Sequence, residues 1–260
     1  MDSAKSLGVK GELIGPTEYS PNAELVTFRQ VVEEQPTGIC LSAARPEIFQ
    51  EEIDAAVAQG IPVICVDADV PGSKRVMYIG TDNIKAGRES LKQMAALLQN
   101  HGSVAVITIP GQRNLDDRVA GVADALTNFP DIKLTKILDD KGDVKTAFDQ
   151  VSELIQKKDK IDGIICLEAT GGSGAAEALQ HLSMPDKLQI VAFDWRSGDA
   201  GLDSSYHGLK FLDDLHRNAV HRFKDWRTAM VALMPTFVDT GTVLVDKSNL
   251  KLYREASQKP

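Results

Sequence analysis

Two carboxylates one residue apart, Asp67 and Asp69, stand where an apolar run stops. That run, Ile61-Pro62-Val63-Ile64-Cys65-Val66, reads as a buried parallel strand, and open α/β sheets bind ligands at the carboxyl ends of their strands. Acidic side chains there can accept hydrogen bonds from a hydroxyl-rich ligand. Asp67 is the stronger candidate because it lies nearer the strand end. The competing reading is an ordinary turn, since Asp, Pro, Gly and Ser dominate the stretch from Asp67 to Ser73. Arg118 offers a planar, permanently charged donor fork that can grip two adjacent oxygens; otherwise it is a solvated helix residue. Asp194 follows a further apolar run, either as a pocket carboxylate or as a helix cap. Glu168 has the same two readings. Trp195 could lay its ring on a ligand's C–H surface or simply pack.

The elements that would position these residues alternate along the chain. Apolar runs predict strands at Glu12 to Ile14, Gly38 to Leu41, Pro62 to Val66, Val104 to Ile109, Leu134 to Leu138, Gly163 to Leu167 and Gln189 to Phe193. Amphipathic stretches predict helices at Pro21 to Glu34, Pro46 to Gln59, Ile84 to Asn100, Asn114 to Asn128, Val144 to Lys157, Gly174 to His181 and Tyr206 to Asn218. This order implies parallel sheets with helices on both faces. Residues 76 to 83 separate two such arrays and read as a hinge.

Composition narrows the function. The chain has 260 residues, 43% hydrophobic and 25% charged, as expected of a soluble globular protein. A formal charge of -8 without clustered Lys and Arg argues against a nucleic-acid partner. Cys40, Cys65 and Cys166 each sit in an apolar run without metal-ligand spacing, so they read as buried core thiols, and no metal or cofactor is expected. No apolar run reaches membrane-spanning length. Met1-Asp2-Ser3 lacks a basic region followed by an apolar one, so no secretory signal is read in this chain. Gly171, Gly172 and Gly174 lack the spacing and Lys of a phosphate-binding loop and suit close helix packing. No Gly-x-Gly-x-x-Gly follows a first strand, and no Gly-x-Ser-x-Gly elbow is present. The five histidines pair with no nucleophile, so the chain does not read as an enzyme.

Several stretches together resemble type I periplasmic sugar-binding proteins, the ribose-binding-like solute-binding components of ABC importers. Thr37 to Ala44 with Pro46-Glu47 resembles the third strand and following helix start of their first lobe. Asp67 to Arg75, continuing through Tyr78-Ile79-Gly80-Thr81-Asp82-Asn83, resembles their inter-lobe crossing. Gly111, Arg118 and Gly121 are similar to the loop and helix that present an arginine to the ligand. Leu167 to Ala176 resembles a later pocket edge, Val191 to Asp194 a strand end that supplies an aspartate, and Pro235 to Lys247 the closing segment of transport-associated members.

The resemblance implies a two-lobed α/β fold, with residues 1–77 plus 206–238 in the first lobe and 78–205 plus 239–260 in the second. It implies capture of a small sugar by Asp67, Asp69, Arg118, Glu168, Asp194 and Trp195, with a membrane permease as partner and a periplasmic or extracytoplasmic location. Departures accompany it. Met1 enters at what resembles the last turns of the first helix, so the first strand is read as missing. A segment after Asp194 is also read as missing, and Arg45 replaces the usual acidic helix cap. The first lobe is therefore expected to be incomplete or rebuilt, by Thr228 to Met234 or by self-association through exposed strand edges. The alternatives are a truncated or engineered non-binding scaffold and an α/β enzyme acting on a sugar.

Overall fold

The structure is a computed structural model and describes residues 8–17, 20–183, 188–193 and 237–239. The chain divides into two compact units, Met1–Thr81 with Gly198–Pro260, and Asp82–Ser197.

In the first unit, α1 (Pro21–Glu33) starts where the Ser20 hydroxyl accepts the Ala23 N–H at 3.3 Å and Pro21 fixes the first turn. It is followed by β1 (Ile39–Leu41), α2 (Pro46–Ala58), β2 (Val63–Val66) and β3 (Met77–Gly80). β8 (Phe237–Asp239) completes a parallel sheet of order β1-β2-β3-β8. Every residue of β2 and β3 is buried, which is why both read as unbroken apolar runs. Phe28 and Phe49 meet edge to face at 5.9 Å and anchor α1 and α2 in the core. Arg45 precedes α2 without capping it through its side chain, leaving Pro46 to set the first turn.

The second unit runs α3 (Asn83–Leu97), β4 (Gly102–Thr108), α4 (Arg113–Ala125), a 3₁₀ turn at Leu126–Asn128, β5 (Ile132–Asp139), α5 (Val144–Gln156), β6 (Gly163–Cys166), α6 (Ala169–His181) and β7 (Gln189–Ala192). Its parallel sheet has the order β5-β4-β6-β7. The two-residue period of a strand divides its core. Val104 and Val106 join Leu91, Met94, Leu115 and Val122 on one face, while Ala105 and Ile107 join Val151, Leu154, Ala175 and Leu179 on the other.

Helices α3 and α4 approach backbone to backbone. A Cβ on Gly87 would collide with the Arg118 carbonyl, and one on Gly121 with the Ile84 carbonyl. Glycine at these two positions therefore sets the seat of Arg118. Gly121→Ala is expected to destabilise the protein by about 3 kcal/mol, because backbone atoms cannot yield as a side chain can. Urea denaturation of wild type and variant measures it.

Two expectations change. Glu12 to Ile14 forms no strand: Leu13 is 89% exposed and Ile14 46%, with no paired strand beside them among the described residues. An isolated extended segment has no ladder to hold it. The segment 76–83, read as a hinge, holds β3 and the first residue of α3, with Met77, Tyr78 and Ile79 buried, and the two units part in sequence between Thr81 and Asp82. α6 begins at Ala169, five residues before Gly174, because Glu168 caps it. The Tyr206 to Asn218 helix and the Thr228 to Met234 repair lie outside the described residues.

Candidate functional site

The candidate residues of the first unit cluster where β2 ends. Asp67 is exposed and has a φ of +61°. Its N–H donates to the Ile79 carbonyl at 3.1 Å, the last bond before the chain turns away. Its Oδ2 accepts the Ser42 hydroxyl at 3.4 Å, and its carbonyl accepts the Tyr78 hydroxyl at 2.7 Å. Asp69 is directed inward. Both its oxygens meet the Arg75 guanidinium, Oδ2 at 2.7 Å, and Oδ1 also accepts the Val70 N–H at 2.8 Å. Such a half-buried bidentate pair stiffens the loop. The structure thus separates the two carboxylates: Asp67 points out and Asp69 braces.

The second unit gathers Arg118 and Glu168 at its own strand ends. Arg118 on α4 is only 6% exposed. Its Nε donates to Asn83 Oδ1 at 2.8 Å and its Nη1 to the Leu167 carbonyl at 2.6 Å. The guanidinium carbon lies 4.3 Å from the centroid of the Phe193 ring, a stacking worth about 2 kcal/mol where water is excluded. Three points therefore fix one cation: the start of α3, the residue after β6 and the residue after β7. This is a preorganised donor, and a solvated helix residue would look different.

Glu168 adopts the capping geometry that was one of its two readings. Its oxygens accept the N–H groups of Thr170, at 2.6 Å, and Gly171, and also the Thr170 hydroxyl. The same hydroxyl lies 3.2 Å from Asp140 Oδ2. Asp140 follows β5, is fully buried and accepts the Gly142 N–H at 3.1 Å. Burial, then the neighbouring Glu168 carboxyl, pushes Asp140 up to about 7.

Asp194 and Trp195 lie outside the described residues. Sequence reasoning did not single out Asn83, Tyr78, Phe193 or Asp140 as site residues. Asn83 and Tyr78 lay within a stretch already of interest, and Phe193 adjoined Asp194, but only folding shows that Arg118 seeks Asn83 and Phe193. Among the described residues no group of three or more His, Cys, Asp or Glu could hold a metal ion, and no helix is long and apolar enough to cross a membrane.

The Cys65 and Cys166 thiols are buried beneath these strand ends, and Cys40 is half-buried. Burial raises Cys40 to about 11 and Cys65 to about 12, and Cys166 shifts in the same direction. Since the thiolate is the reactive form, Cys65 and Cys166 are expected to react with a thiol reagent at pH 8 only on unfolding. Disulfide-exchange labelling of native and urea-treated protein tests this.

Residues 1–199 match the family model described as periplasmic binding protein domain. The chain belongs to that family. Among solved structures, a sugar-binding protein of a sugar ABC transporter from Bacillus halodurans is 30% identical, with a TM-score of 0.81 over 97% of this chain and 92% of the other. An arabinose-binding protein from Geobacillus stearothermophilus is 32% identical, with a TM-score of 0.74 over 97% of this chain and 91% of the other. The D-allose-binding periplasmic protein of Escherichia coli is 23% identical over 203 residues, covering 74% of this chain. The chain spans 65% of the length of that curated relative. The parallel sheets and flanking helices are those of this two-lobed family.

Proposed function

We propose that this protein is a solute-binding protein that captures a small neutral sugar for an ABC-type importer. The observation that carries the reading is Arg118, a buried guanidinium held at strand ends by Asn83, Leu167 and the Phe193 ring before any ligand arrives. Such a donor can offer paired hydrogen bonds to adjacent sugar oxygens without first being ordered. Asp67 is an outward acceptor of the first unit, and Asp194 is a further candidate carboxylate. Asp69 and Glu168 serve mainly to brace these edges, and Trp195 is an aromatic wall. The names of the related proteins support the class of ligand.

On this reading the protein works by capture and performs no chemistry on the sugar. Bound sugar stabilises a closed state that a membrane permease recognises outside the cytoplasm. Calorimetric titration with D-allose, arabinose and a panel of other monosaccharides tests the proposal. Saturable binding of one or a few sugars, recovered unchanged, is the expected result. Turnover of the sugar would favour an enzyme, and no heat from any sugar would favour a non-binding scaffold.

A further inference from the structure

Asp67 sits at the centre of a three-residue turn. The Ala68 N–H donates to the Val66 carbonyl at 2.6 Å across it, and Asp67 itself has a φ of +61°. This is the positive-φ form of the γ-turn, which is rare and strained for a residue carrying a Cβ. Strain of this kind persists only where neighbouring groups enforce it. Here the enforcing group is visible. The Tyr78 hydroxyl reaches the Asp67 carbonyl at 2.7 Å and lies 3.2 Å from the carbonyl of Thr81, the residue after β3. A phenol has a single proton to donate, so the shorter bond, to Asp67, is the principal one. Gly80 makes room for the phenol, because a Cβ there would collide with the hydroxyl. Tyr78 is itself buried at 6% exposure, so the ring has little freedom to withdraw.

We propose that Tyr78 is a positioning residue for Asp67, its hydroxyl holding the strained turn that presents the Asp67 carboxylate at the end of β2. The proposal rests on the sugar-capture reading for its consequence but not for its geometry. Without the hydroxyl, residue 67 relaxes to negative φ and its carboxylate leaves the presented direction. If about a tenth of the molecules then keep the competent turn, apparent affinity falls about tenfold.

The test has a ligand-free arm and a binding arm, both on the full chain. In the ligand-free arm, the HN–Hα coupling and backbone carbon shifts of residue 67 are measured by NMR in wild type, Tyr78→Phe and Gly80→Ala. The last variant displaces the phenol while keeping it. Both variants are expected to move residue 67 out of the positive-φ region. A Tyr78→Phe/Asp67→Gly double variant is expected to keep it there, since glycine bears no penalty. A folded Tyr78→Phe or Gly80→Ala protein with unchanged residue 67 signals would overturn the proposal, even if its melting temperature fell. In the binding arm, D-allose and arabinose are titrated. Tyr78→Phe is expected to weaken binding about tenfold in the wild-type background and to add nothing to Asp67→Ala, whereas a full additional loss would show that Tyr78 does not act through Asp67. If neither these sugars nor the wider panel binds wild type, the sugar reading fails, while the NMR arm still decides the role of Tyr78.

Discussion

Replacing Arg118 with alanine is expected to weaken sugar binding by at least about 100-fold and to cost about 4 kcal/mol of folding stability. The guanidinium bonds two buried acceptors, Asn83 Oδ1 and the Leu167 carbonyl. Leaving a buried acceptor unsatisfied costs roughly 1–3 kcal/mol each, and the stack on Phe193 is lost as well. Arg118→Lys restores the charge but not the fork, so it should recover part of the stability and little of the affinity. Glu168→Ala makes a useful contrast. It removes the α6 cap, worth about 1 kcal/mol, and should weaken binding less than Arg118→Ala because its oxygens are already committed to Thr170 and Gly171. Calorimetry and urea denaturation on the three variants decide the matter. Wild-type affinity in Arg118→Ala would remove this residue from the site.

The fold was legible wherever burial and periodicity coincide. Val63 to Val66 and Gly163 to Cys166 are buried throughout, and an unbroken apolar run is the mark of such strands. Helix ends were less clear. Glycines at 171, 172 and 174 look like a helix boundary in sequence, yet α6 encloses all three, and a Cβ on Gly174 would collide with the Val144 carbonyl. Close packing put glycine there. Glu12 to Ile14 has the composition of a strand, but a strand needs a neighbour, which local composition does not supply.

The site was half legible. Aspartates at 67 and 69 look alike in sequence, and only Arg75 folding onto Asp69 distinguishes the inward carboxylate from the outward one. Asp140 was illegible for a related reason. It stands beside Asp139 at a strand end, where either could be solvated, and only the folded chain buries one of them completely.

That burial gives Asp140 a large expected effect on stability between pH 4 and pH 8. Its folded value of about 7 lies above the unfolded value of 3.8, so folding favours its protonated form. The stabilisation is therefore fully present below about pH 4 and is lost as pH rises toward 7. Burial and the Glu168 carboxyl outweigh two hydrogen bonds that favour the ionised form, one accepted from the Gly142 N–H and one from the Thr170 hydroxyl. Asp140→Asn is neutral at every pH. Its stability relative to wild type should rise by a few kcal/mol between pH 4 and pH 8, with the ordinary carboxylates cancelling in the difference. Urea denaturation of both proteins across that range measures it, and a difference that stays flat with pH would show that Asp140 is ionised in the folded protein throughout.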